Sequence, residues 1–249
     1  MKIFTALFSR KWVFATLLVL IAMGVMVRLG IWQLDRLAGR RAFNDHYLQQ
    51  SQAEPLDLNY FTDLNQLEDM AYRRVRVNGQ YDYIRELAIR NQSWDNKPGV
   101  HLLTPLLIDG TDHIVLVDRG WIPQDAYQTG NWDAYHGEPG RVQVSGILRN
   151  SQSPTFGGRP DPTPMPGEWI NAWNFVDLPI LSRQFSPTLL PVYIQQAPDP
   201  QWTALPYRSQ PTIELTEGPH LSYAIQWFAF TTILAVGYPL YLRRETSFT

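Results

Sequence analysis

From Leu221 to Leu242 this 249-residue chain carries no charged side chain, and the run closes on Arg243 and Arg244. At about 1.5 Å of rise per helical residue, a stretch of that length covers the roughly 30 Å hydrocarbon core of a bilayer. It is read as a transmembrane helix over 220–242, with 243–249 as a short tail. Everything else in the chain has to be compatible with that anchor.

A second apolar block, Trp12 to Val27, follows Arg10 and Lys11 and precedes Arg28, Leu29, Gly30, Ile31 and Trp32. Sixteen apolar residues are short for a span. If Arg28 snorkels to the interface, however, the span extends over 12–34. A signal peptide cut near Ala22 and Gly24 is the rival reading. The uncleaved anchor is preferred because apolar sequence continues past those residues and ends in a tryptophan placed as an interfacial residue would be.

Charge is segregated. The first 34 residues hold four basic and no acidic side chains, so the acid behind the net charge of −2 lies between the spans. A mildly acidic middle offers no basic face to phosphates, which argues against nucleic-acid binding. Around the first span the basic residues balance and give no orientation. Around the second, Arg243 and Arg244 follow, whereas Arg208, Glu214 and Glu217 precede. The expected topology therefore has both termini cytoplasmic (a tail over 1–11 at the start) and residues 35–219 outside. Eleven residues before the first span are too few for a typical transit sequence, so the expected membrane is a bacterial inner membrane and the middle domain periplasmic. The chain has no cysteine, which excludes disulfides, thiolate metal sites and cysteine nucleophiles.

Between the spans, residues 35–52 have helical spacing and are expected to continue the first helix outward. Strand signals follow at Tyr72–Val77, closed by the turn pair Asn78-Gly79, then at Gln80–Asp82 and Glu86–Gln92. A second hairpin is expected from Val100–Ile108 through Asp109-Gly110 to His113–Val117, with later strands at Arg141–Arg149, Trp169–Phe175 and Leu189–Ile194. Residues 151–167 are rich in proline and glycine and read as an extended loop. The expected fold is a membrane α + β protein: two transmembrane helices flanking an antiparallel β-domain, barrel-like or sandwich.

Catalytic motifs are sparse. The chain has no Gly-x-Ser-x-Gly elbow, no phosphate-cradling glycine loop and no His-Glu-x-x-His helix. Asp118 and Arg119 beside Gly120, with His101 or His113, are the best catalytic constellation; turn residues account for the first pair equally well. His101 and His113 could face each other on one hairpin as a metal pair, or form an exposed cross-strand polar pair.

His220 differs because Pro219 places it in the first helical turn, with Tyr223, Ala224 and Trp227 at i+3, i+4 and i+7 on one face. An imidazole above a small residue and aromatic faces could ligate a haem iron. Equally, it could be a solvated histidine in an interfacial aromatic belt.

Six motifs in order resemble the Surfeit-locus (Shy-type) family of cytochrome c oxidase assembly factors. They are Gly30-Ile31-Trp32-Gln33-Leu34-Asp35-Arg36, Arg76 to Tyr81, Gly99 to Leu106, Val115 to Pro123, Gly146 to Arg149, and His220-Leu221-x-Tyr223-Ala224-x-x-Trp227-Phe228. The family's last motif is similar to Asn-x-His-Leu-Gln-Tyr-Ala-x-Thr-Trp-Phe. Here Gly218 stands where it has Asn, which removes a possible partner for the imidazole. No neighbour in sequence orients the ring.

The resemblance implies a non-catalytic membrane factor that aids haem a retention or insertion into subunit I of cytochrome c oxidase, alongside other oxidase assembly factors. Some bacterial members are thought to bind haem a through the histidine matching His220, which makes His220 the expected iron ligand and Tyr223 and Trp227 its packing surface. The alternatives are a cofactor-free scaffold for a subunit I intermediate, and a membrane-anchored hydrolase built on Asp118, Arg119 and His101 or His113.

Overall fold

The computed structural model describes residues 9–130, 132–153, 161–165, 167–185 and 189–245. Much of the expected loop 151–167, the tail up to residue 8 and the last four residues lie outside the described residues. The chain divides into two compact units, 1–46 with 214–249 and 47–213.

The first unit is a pair of helices. Helix α1 (Val13–Gln52) runs for 40 residues without a break, and helix α4 (His220–Glu245) for 26. Both are long and apolar enough to cross a membrane. Their contacts pair early residues of one with late residues of the other, so they run antiparallel. The Trp12 and Tyr241 rings meet edge to face, the hydroxyls of Thr16 and Tyr238 are 2.8 Å apart, and Gly30 lies under Phe228. A Cβ on Gly30 would sit 2.7 Å from the Phe228 ring, so only glycine admits that ring so close to the α1 backbone. Outward, Phe14, Leu18, Ile225 and Ile233 are among the exposed apolar side chains, as lipid-facing positions require.

The second unit is a β-domain with strands β1 (Leu56–Asp57), β2 (Arg74–Tyr81), β3 (Leu87–Trp94), β4 (Lys97–Ile108), β5 (Ile114–Pro123), β6 (Arg141–Asn150), β7 (Ala172–Trp173) and β8 (Leu189–Gln196). Short helices α2 (Gln124–Gln128) and α3 (Leu178–Leu181) lie between strands. The sheet order is β1-β2-β6-β8-β5-β4-β3-β7, with a further pairing of β2 on β4. That last pairing closes β2, β6, β8, β5 and β4 into a five-stranded barrel. Closure removes the exposed edges a sheet would otherwise present. Around the ring only β5 and β8 run parallel.

Alternation builds the barrel interior. Val75, Val77 and Tyr81 of β2 join Val144 and Leu148 of β6, Val192 and Ile194 of β8, and Val115 and Val117 of β5 in one apolar cluster. Strand β5 is buried nearly throughout because its other face is covered too. Leu116 packs in a second cluster with Trp173, Leu178, Leu181 and Phe185. This explains why β5 reads as an almost unbroken apolar run rather than as alternation.

Two expectations are corrected. Asn78-Gly79 is not a turn: β2 passes straight through it, pairing Gly79 with Val142 on one side and with Ile108 on the other. A Cβ there would stand 2.3 Å from the Leu107 carbonyl oxygen, so the glycine serves close strand approach and not reversal. The reversal that does occur after β3 uses Asp95 and Asn96, both at positive φ, as a two-residue hairpin turn favours. The strand expected over Trp169–Phe175 shrinks to the two residues of β7, and Asn174 and Phe175 instead donate backbone N–H groups to Asp161.

One fully buried cation organises an end of this domain. β5 carries a bulge in which the partner of β4 steps from Gly120 to Asp118, leaving Arg119 as the extra residue. Arg119 Nη1 donates to Glu86 Oε1 at 3.1 Å and Nη2 to the Tyr135 carbonyl at 2.6 Å, and the guanidinium lies 5.2 and 5.0 Å from the Tyr81 and Tyr83 ring centres. Thr104 donates its hydroxyl to the same Glu86 oxygen. With side chains 0% and 1% exposed, neither charge is screened by water. Arg119→Ala is therefore expected to lower β-domain stability by about 3–5 kcal/mol by stranding Glu86, and Arg119→Met with Glu86→Leu to recover most of it. Denaturant unfolding followed by tryptophan fluorescence measures both, and equal losses in the single and double variants would show that the pair is not coupled.

Candidate functional site

The histidine at the mouth of α4 has a partner, and it comes from the other helix. His220 Nδ1 lies 2.9 Å from Gln33 Oε1 across 187 residues of sequence. An amide oxygen can only accept, so Nδ1 carries a ring proton, and in the neutral ring the tautomer this selects keeps its lone pair on Nε2. A ligand histidine is commonly oriented in this way: one nitrogen is tied by a hydrogen bond and the other freed for a metal.

The local chain keeps that second nitrogen uncovered. Gly218 has φ +69°, the left-handed region that glycine enters without steric cost. A Cβ on it would lie 3.5 Å from both Cδ2 and Nε2 of His220, so a side chain at 218 would grow beside the free edge of the ring. The segment leading into α4 is fastened to α1. Arg40 donates from Nε to the Thr216 carbonyl at 2.9 Å and from Nη2 to the Glu214 carbonyl, and Arg41 holds Glu217 through two hydrogen bonds of 2.8 Å. That hydrogen bonding holds the Glu217 carboxyl below its ordinary range. The exposed ion pair contributes little stability, but its two-point geometry fixes direction.

The other residues expected on the His220 face separate. Ala224 is 1% exposed and belongs to the helix seam, whereas Tyr223 is 46% exposed on the outer surface. Trp227 is half-buried, with Phe230 edge-on at 6.3 Å. The imidazole donor set, one nitrogen anchored and one free beside a glycine, fits a haem iron.

In the β-domain the catalytic constellation comes apart. Asp118 pairs with His101, both carboxylate oxygens 2.9 Å from Nδ1, whereas Arg119 belongs to the buried Glu86 network. His101 is opposite Trp121 in the β4–β5 register, and His113 stands before the far end of that hairpin, so the two histidines form neither a metal pair nor a cross-strand pair. Among the described residues no group of three His, Asp or Glu side chains is placed to hold a metal ion. The cavity beside His101 and Asp118 has no Ser, Thr or Lys in its lining, and burial pushes the lining Tyr193 hydroxyl up to about 12. A His–Asp pair without a nucleophile to activate does not support acyl-transfer chemistry.

Sequence reading had no role for Gln33, Arg40, Arg41 or Glu217. Gln33 stood inside a quoted motif, and only the antiparallel register of the helices shows what it meets.

Two long apolar helices that flank a β-barrel in the sequence define a membrane-anchored barrel protein. The SURF1 family model matches residues 20–232, and the chain belongs to the SURF1 family. A SURF1-like protein of Rickettsia bellii is 26% identical over 93% of this chain and 92% of its own length. One from Caenorhabditis briggsae is 24% identical over 90% of this chain and 74% of its own. The Saccharomyces cerevisiae protein named cytochrome oxidase assembly protein SHY1 is 27% identical over 43% of this chain and 28% of its own.

Two measurements check the two imidazoles. In ¹⁵N-histidine NMR, His220 is expected to show the Nδ1–H tautomer, and Gln33→Leu to collapse that bias toward an averaged ring; unchanged shifts would remove Gln33 as the partner. For His101, burial lowers the pKa, but the charge and hydrogen bond of Asp118 more than reverse this and raise it above its ordinary 6.5. A raised folded-state pKa gives stability that is complete below 6.5 and lost as pH climbs through the folded value. Denaturation midpoints should accordingly fall over that window in the native protein and stay flat in Asp118→Asn.

Proposed function

We propose that this protein is a cytochrome c oxidase assembly factor that retains haem a, or hands it on, for subunit I, with His220 as the iron ligand. The observation that carries the reading is the Gln33–His220 hydrogen bond, which replaces the sequence-adjacent Asn partner the chain lacks and leaves Nε2 free. Family membership and the name of the yeast relative support the coarser reading, oxidase assembly.

His220 would hold the haem a iron through Nε2, and haem a, when bound, would supply a redox-active iron centre. The protein's own residues do the rest. Gln33 fixes the tautomer and the ring orientation, Gly218 keeps side-chain bulk away from Nε2, and the Arg40 and Arg41 contacts hold the entry to α4. Tyr223 and Trp227 offer aromatic surface on the same helix. A ligand at the end of an apolar helix suits an amphipathic porphyrin, which needs an apolar body and a polar rim. In this reading the membrane is a bacterial inner membrane, the barrel is periplasmic, and it meets oxidase subunit I or other assembly factors. The role is non-catalytic.

Purification from cells that make haem a tests it. The wild type should carry a haem spectrum, His220→Ala should lose it, and Gln33→Ala should bind about 10- to 100-fold more weakly, as loss of an orienting partner costs at metal sites. Equal haem absorbance in wild type and His220→Ala would remove His220 from the role. Co-purification with oxidase subunits and no haem in the wild type would leave a cofactor-free scaffold.

A further inference from the structure

The β-domain contains a polar cavity that the haem reading does not use and does not depend on. It has a volume of about 160 Å³, and its lining includes His101, Asp118, Arg149, Gln152 and Tyr193. One water occupies ~30 Å³ of liquid, so the space exceeds what a single bridging water fills. The His101 and Asp118 side chains are 16% and 14% exposed, so the cavity opens to solvent.

Its hydrogen-bond inventory is unbalanced. Arg149 Nη1 is fully buried and has no hydrogen-bond partner among the described residues. Arg149 and Tyr193 stand opposite each other in the β6–β8 register. The Tyr193 oxygen accepts from Gln152 Nε2 at 2.9 Å, so its own proton is left to donate. Because burial pushes that hydroxyl up to about 12, it stays protonated over any ordinary pH. His101 has Nδ1 engaged by Asp118, which leaves Nε2 as the free nitrogen. Asp118, the one carboxylate in the lining, is committed to His101 and to the Gly120 backbone N–H at 3.1 Å. Arg149 Nη1 is thus a buried donor without an acceptor, on a half-buried guanidinium whose face lies 5.1 Å from the Tyr72 ring centre. A buried donor left without an acceptor is costly.

We propose that this cavity binds a small oxyanion, a carboxylate or phosphate group, through Arg149 Nη1, the Tyr193 hydroxyl and His101. Arg149 supplies the charge, Tyr193 a neutral directional donor, and His101 with Asp118 a donor whose own charge is already balanced. All three residues line the same cavity.

The full-length protein in detergent should be titrated separately with inorganic phosphate and with acetate, with heat and the His101 ¹⁵N shifts recorded together. Saturable binding with a shift at His101 is expected for at least one anion. The arm that saturates more tightly separates phosphate from a carboxylate such as an acidic side chain or chain end. Arg149→Gln should weaken binding roughly 10- to 100-fold, and Tyr193→Phe about 5-fold, the factors expected for a charged and a neutral hydrogen bond. If Arg149→Gln fails to fold, Tyr193→Phe, which removes one oxygen, decides alone. No saturable binding of either anion, or affinity unchanged in the folded variants, would overturn the proposal.

Discussion

The helix pair depends on its seam. Lipid tails are as apolar as leucine, so two helices gain nothing by hiding apolar surface from each other in a bilayer; close packing and interhelical hydrogen bonds hold them. The seam supplies both: Gly30 admits the Phe228 ring against the backbone, and the Thr16 and Tyr238 hydroxyls meet 2.8 Å apart. Trp12, Thr16, Gly30 and Gln33 sit at spacings that fit a repeat of 3.5 residues per turn, the pattern of helices that stay in contact along their length. One register satisfies all of these contacts, and it is the register that brings Gln33 opposite His220. A slip by a turn would carry the amide about 5.4 Å away from the imidazole, well out of hydrogen-bond reach. The orientation of the His220 ring is thus a by-product of packing the helix pair.

The barrel has a comparable keystone in β2, which pairs on both sides and so joins the ends of a curled sheet. Two strands can share β2 at that corner because Gly79 has no side chain to strike the Leu107 carbonyl. Closure leaves a ring of apolar interior and forces the polar residues of β5 to find partners elsewhere. The bulge at Arg119 gives that cation Glu86 and two tyrosine faces, and it leaves Asp118 for His101. Two adjacent residues that looked like one catalytic pair become members of two separate networks.

This is where sequence stops being sufficient. Both apolar helices, the β4–β5 hairpin around Asp109-Gly110, and β6 were legible because each depends on local patterning: length without charge, a turn pair, alternation. Asn78-Gly79 misled for the same reason, since the identical dipeptide serves a hairpin or a crowded strand crossing, and only tertiary pairing decides. The apolar run Ile114–Val117 in β5 shows no alternation because both of its faces are covered. His220 stood out in the sequence through its place at a helix start and the motif resemblance, but its partner Gln33 did not, being 187 residues away. Arg149 and Tyr193 were likewise assigned to strands, and nothing in either strand alone says that the two face each other.

His220 and His101 show how one side chain is placed in different surroundings. Gln33 presents His220 with a neutral amide oxygen, which fixes the tautomer without adding charge, and a neutral imidazole with a free nitrogen is what a metal requires. Asp118 presents His101 with a carboxylate, which favours the protonated ring and turns it from a ligand into a donor. Exchanging the partners would exchange the chemistry: a carboxylate at 33 would favour a charged ring at 220, and an amide at 118 would release the proton at 101. The identity of the residue across from each imidazole, more than the imidazole itself, sets which ring nitrogen carries a proton and whether the charged ring is favoured.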